Sequence, residues 1–382
     1  MRALTWIAAA ALFPGLWLPL PALGWYEHKH LIPHLLEGLD LAQQSALNAP
    51  LPPLCGSAEA SAVQAAIAAV ELNPRGKYGP GTPDACQGSR PTNGAELLKS
   101  GATDEPDNGM DENLPDSLDP KGARAHIGGK EGSSSDAFRH IYFANWSPLH
   151  PIRTLHQTWG ELGEGRERAR VMAEYARKLM KAPEPQRLPA FRALAWAFHY
   201  VQDLGQPFHA AALPTTEMVP WYALWTWPPG RAFSELMSET ERSVTNYHWA
   251  LEGYVRYRFM SQDKSVENPL AECVSKPDAH ATLDRGPWAE PLPLATAVAR
   301  ASSELAPELG EAAVAFFGRG LMNRGHDFTK GAPQPSYQEL SLRPDLVEAR
   351  SRLHAVVCRS LANGAWASRW LIGYVLGEPG SR

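Results

Sequence analysis

Residues Phe191–Ala210 read FRALAWAFHYVQDLGQPFHA, and the fold class turns on them. Ala and Leu dominate as far as Leu204, and apolar residues recur at helical spacing, which predicts a helix carrying His199 and Asp203 one turn apart on one face. Pro207 lacks an amide hydrogen and biases Gln206 away from helical geometry. The helix should therefore end or kink there, returning His209 to the same neighbourhood by another route. Two imidazoles and a carboxylate converging at a helix end suggest a zinc site. An i,i+4 His/Asp pair is equally common as a plain hydrogen-bonded pair, so the remainder of the chain has to decide.

Helical patterning appears at about 28–48, 136–146, 164–181, 189–204, 234–262, 292–324 and 343–376. Strand-like alternation is nearly absent, and the expected fold class is all-α. Residues 50–135 form a long region rich in Gly, Pro, Ser and Asp, broken by a short Ala-rich helix near 58–71. A loop of that length is usually functional or crosslinked. No internal repeat is visible. The candidate ligands are scattered from one end to past the middle, so the chain is read as one domain over 25–382, preceded by a leader.

That leader is MRALTWIAAAALFPGLWLPLPALG: a single Arg2, an apolar stretch, and Ala22 and Gly24 at positions −3 and −1 of a cleavage point. It has the form of a secretory signal peptide over 1–24. No later apolar run is long enough to span a bilayer, so the expected product is exported, to the periplasm or beyond, without a membrane anchor. Of the charged residues the leader removes only Arg2, so 36 basic residues become 35 against 41 acidic ones, a net charge of −6. That balance carries no nucleic-acid footprint, and no stable nucleic-acid partner is expected. Cys55, Cys86, Cys273 and Cys358 are an even number in an exported chain. Two disulfides are expected, most simply 55 with 86 and 273 with 358. With no Cys-x-x-Cys, a metal would rely on His, Asp and Glu.

Candidate ligands of those types occur in order along the chain. Cleavage after Gly24 leaves WYEHKHLIPHLL, in which the Trp25 amine and carbonyl can chelate a metal and His30 lies five residues on. GATDEPDNG offers Asp104, Glu105 and Asp107, and DAFRHIYFANW offers His140 on a short helix. His199, Asp203 and His209 follow, and NYHWALEGYV places His248 and Glu252 at i,i+4. This ordered set resembles the bacterial zinc-dependent phospholipases C, relatives of the S1/P1 nucleases, over roughly residues 25–255.

The resemblance implies three zinc ions. Asp104, His140 and His199 would bind one, and Asp203 would bridge it to a second held by Trp25 and His30. His209, His248 and Glu252 would bind a third. Asp104 is also the implied general base. Asp107 remains a rival to Asp104, whose separation from His140 is long for the family, and His34 a rival to His30. The implied activity is hydrolysis of a phospholipid such as phosphatidylcholine to diacylglycerol and a phosphorylated head group, by a monomer acting at a membrane surface. Glu252 at the last ligand position favours lipase over nuclease. The alternatives are an S1/P1-type nuclease or nucleotidase, and a non-catalytic membrane-binding protein with structural zinc.

His28, His126, His150, His156, His280, His326 and His354 have no partner at ligand spacing, and are read as surface or hydrogen-bonded core residues. The loop VPWYALWTWPPG, 219–230, crowds Trp221, Tyr222, Trp225 and Trp227 together. It could cap the site, hold a quaternary ammonium, meet lipid, or pack on the helices beneath it.

Overall fold

The computed structural model describes residues 28–51, 92–104, 106, 140–146, 160–182, 187–261 and 268–377. The elements are α1 (Ile32–Glu37), α2 (Leu41–Asn48), α3 (Gly94–Lys99), β1 (Phe143–Trp146), β2 (Gly160–Leu162), α4 (Gly165–Met180), α5 (Arg187–Gly205), α6 (Pro207–Ala210), α7 (Pro229–Met260), α8 (Pro269–Ser275), α9 (Pro291–Phe317), α10 (Tyr337–Leu342) and α11 (Val347–Leu376). The described chain is predominantly helical, with β1 and β2 forming a two-stranded antiparallel ribbon.

Helix α5 is the axis of the molecule. From Pro189 to Gly205 every residue except Arg192 is buried, the signature of a helix surrounded on all sides. α4 and α11 pack most extensively against it, with α9 beside them. Two glycines permit a close crossing between α5 and α11. A Cβ on Gly205 would lie 3.2 Å from the Gly364 amide nitrogen, and one on Gly364 would lie 3.2 Å from Gln202 Cα. The last carbonyl of α5, Gly205 O, accepts hydroxyl bonds from Ser302 on α9 at 2.8 Å and Ser360 on α11 at 2.7 Å. A helix end buried in the core is thus satisfied by its neighbours.

The expected helices at 164–181, 189–204, 234–262 and 343–376 appear as α4, α5, α7 and α11. The expected helix at 292–324 stops at Phe317, because Gly318 turns to positive φ. The one at 28–48 divides at Gly38, where a side chain would collide with the Arg369 guanidinium. That group donates to the carbonyls of Leu35, Val274 and Ser275. The expected helix at 136–146 is corrected over its second half: His140 is helical, but Phe143–Trp146 is strand β1, drawn out by pairing with β2. The Ala-rich segment at 58–71 lies outside the described residues.

Cys273 on α8 and Cys358 on α11 form the expected disulfide, which fits an oxidising compartment. Cys55 and Cys86 lie outside the described residues, as does the leader. Among the described residues no helix is long and apolar enough to cross a membrane.

Candidate metal centre

α5 ends where the sequence places its break. Gln206 has φ −88° and ψ 120°, outside the helical region, and Pro207 opens α6. The Gln206 side chain caps the new helix by accepting from the Phe208 amide at 2.7 Å. His209 is thereby carried back beside the end of α5, and its backbone carbonyl accepts from the Tyr142 amide at 3.0 Å. That bond holds the strand-forming segment, and with it His140, against the site.

Asp203 is wholly buried and is met from both sides. Oδ1 lies 3.1 Å from His28 Nε2. Oδ2 lies 2.7 Å from His140 Nδ1 and 3.2 Å from His199 Nε2. Burial alone would push the Asp203 carboxyl up. The charges of His199, His209 and His28 and the hydrogen bond with His140 outweigh it and hold the group well below the usual carboxylate range. Asp203 is therefore an anion in the core.

Three of the histidines are oriented by the same device. The His199 Nδ1–H donates to the Thr103 carbonyl at 2.8 Å, that of His209 to the His140 carbonyl at 3.0 Å, and that of His28 to Gln202 Oε1 at 2.9 Å. Each ring then turns its Nε2 inward, the arrangement typical of metal-ligating histidine.

A second group lies alongside. His209 Nε2 is 3.1 Å from His248 Nε2, and Glu252 Oε1 is 2.5 Å from His248 Nε2 and 3.9 Å from His209 Nε2. Gln206 Nε2 donates to the same Glu252 oxygen at 3.0 Å. His248 and Glu252 come from consecutive turns of α7, as their spacing predicts.

Two groupings among the described residues, His28–His199–Asp203 and His209–His248–Glu252, could hold a metal ion. The donors suit one. Asp203 Oδ1 and His28 Nε2 are both buried without a well-formed hydrogen bond although they face each other. Two imidazole Nε2 atoms at 3.1 Å repel unless a cation or shared proton lies between them. A tetrahedral ion with bonds of about 2.1 Å sets its ligand atoms about 3.4 Å apart, within the 2.5–3.9 Å range of the separations here. A third grouping, Cys273, His280 and Cys358, has its two sulfurs bonded to each other and offers no thiolate.

The residues expected from the sequence fall as follows. His140, His199 and Asp203 come together, as do His209, His248 and Glu252. Asp104 lies in a 3-10 turn directly after Thr103, where Oδ1 accepts from the Lys29 amide at 3.0 Å and Oδ2 pairs with the Lys29 ammonium at 3.4 Å. His30 is half-buried and stands outside both groupings. His34 pairs with Glu37 at 3.6 Å. Trp25, Glu105 and Asp107 lie outside the described residues.

His28 is the addition. Read from sequence as a surface or hydrogen-bonded core residue, it is hydrogen-bonded core and also faces Asp203. His28 and His30 share a 3-10 turn, where positions two apart point about 120° from each other. A signal was present: His28 lies three, four and seven residues before Leu31, Ile32 and Leu35, on the stripe that α1 buries. Gln202 and Gln206, which orient His28 and Glu252, carried no such signal.

No family profile, curated protein or solved structure matches the chain.

Proposed function

We propose that the protein is an exported metal-dependent phosphodiesterase, with zinc as the metal and a phospholipid as the substrate. The observation that carries this reading is Asp203: one carboxylate oxygen meets His28 and the other meets His140 and His199. A carboxylate so flanked is suited to bridge two cations. His140, His199 and Asp203 would hold one ion, His28 with Asp203 a neighbour, and His209, His248 and Glu252 a third. Ions bound there supply Lewis acidity, making water nucleophilic near neutral pH and offsetting charge on a phosphodiester.

The chain's own residues set the conditions. Gln202, Thr103 and the His140 carbonyl fix three imidazole tautomers. Burial keeps Asp203 and Glu252 out of bulk water, and Gln206 ties down one Glu252 oxygen. Asp104, next in chain to the carbonyl that orients His199, is the carboxylate we assign to proton removal. A lipid substrate is supported by Glu252 at the last ligand position, by the net negative charge and by the exposed aromatic residues.

The test is release of phosphocholine from phosphatidylcholine by the mature protein, before and after chelation. Chelator-sensitive release is expected. Release of nucleotides from single-stranded DNA without lipid turnover would move the reading to the nucleases, and metal binding without hydrolysis of either would leave a structural centre.

A further inference from the structure

The loop ahead of α7 turns its aromatic residues outward. Trp221 is 49 % exposed, Trp225 89 % and Trp227 83 %, with Tyr222, Leu224 and Phe233 also exposed. Such a concentration is costly in water unless something covers it. The loop is not slack beneath them. Ala223, Met218 and Val219 are buried under it. Tyr222 OH donates to Glu239 Oε2 at 2.5 Å and lies 3.1 Å from the Met322 carbonyl. The base is anchored and the indoles stand out from it.

We propose that this loop is a docking surface for a phospholipid bilayer. Protein partners anchor aromatic hot spots in well-packed, fully desolvated pockets. Here the two most exposed rings project from the surface, which suits a deformable partner. Indole is the side chain enriched at the membrane–water boundary, where its apolar body and N–H are both accommodated.

Arginines flank the loop. Arg231 is exposed at the start of α7. Arg319 and Arg324 form exposed ion pairs with Glu217 at 3.4 Å and Glu235 at 3.1 Å, and the Arg324 guanidinium lies 5.9 Å from the Tyr222 ring centre. Exposed ion pairs are worth little in water, so these guanidinium groups can turn to lipid phosphates beside the indoles.

Trp225 and Trp227 are exposed and belong to neither metal grouping, so they can be altered without touching the metal ligands. The proposal shares its lipid chemistry with the proposed function, but binding is measured separately from turnover. The mature protein is sedimented with phosphatidylcholine vesicles containing phosphatidylglycerol, and hydrolysis of water-soluble bis(p-nitrophenyl) phosphate is followed alongside. The double variant Trp225→Ala, Trp227→Ala should bind vesicles about tenfold more weakly, with unchanged turnover of the soluble ester. Leu342→Ala, at an exposed apolar residue elsewhere, should bind as wild type.

Failure of the wild-type protein to sediment, or undiminished binding by the double variant, overturns the docking surface. An equal loss in Leu342→Ala overturns it too, as does a wild-type dimer that the double variant converts to monomer. Vesicle binding without hydrolysis of either substrate would leave the docking surface standing and remove the enzymatic reading.

Discussion

His28 Nε2 and Asp203 Oδ1, from elements far apart in sequence, stand 3.1 Å apart, both wholly buried. The contact ties the first turn of the described chain to the central helix, and a cation there would draw on both. His28→Ala should lower the metal content of purified protein by about one ion per chain, and His30→Ala should leave it unchanged. Metal analysis of the two variants decides between them; loss on His30→Ala alone would return the ligand to the residue expected from sequence.

The approach of α5 to α11 depends on glycine at 205 and 364. A methyl group on Gly364 would sit 3.2 Å from Gln202 Cα, pressing on the residue that orients His28. Gly364→Ala should cost about 1–3 kcal/mol, read as a lower urea midpoint with unchanged slope. A wild-type midpoint would mean the helices separate freely.

His354 links stability to pH. It is hydrogen-bonded to Tyr254 OH at 2.8 Å, and burial, with Arg258 and Arg350 adding to it, pushes its pKa down from 6.5 to about 4. Between those values the unfolded chain binds the proton more tightly than the folded one. The stability is therefore present above pH 6.5 and lost as pH falls toward about 4, amounting to about 3 kcal/mol. His354→Gln, which keeps an acceptor and does not titrate, should flatten this part of the profile. An unchanged slope would assign the acid sensitivity to other groups.

The Cys273–Cys358 bond closes a long loop, its cysteines 85 residues apart in sequence. Replacing both with Ser should lower stability by about 2–5 kcal/mol. Denaturant titration of the pair variant checks this, and a loss below about 1 kcal/mol would mean that packing between α8 and α11 already restricts the chain.

Much of this architecture was legible in the sequence because its signals are local. The all-apolar run around Trp196 marks α5, and the i,i+4 pairs mark His199 with Asp203 and His248 with Glu252. Pro207 marks the turn that brings His209 back. What was not legible depends on partners distant in sequence. His28 gains its role from Asp203 and Gln202, and Gln206 from Glu252. Residues 143–146 become a strand only because 160–162 lie alongside. The outward set of Trp225 and Trp227 is likewise a property of the anchored loop, since the same residues could have packed inward.

The most direct test of the central claim is the metal content of the mature protein by native mass spectrometry, beside that of Asp203→Asn. We expect about three zinc ions per chain, with at least one lost when the Asp203 carboxylate is neutralised. A folded wild-type protein that carries no metal would contradict the account and leave the buried cluster as a network of protonated histidines around Asp203.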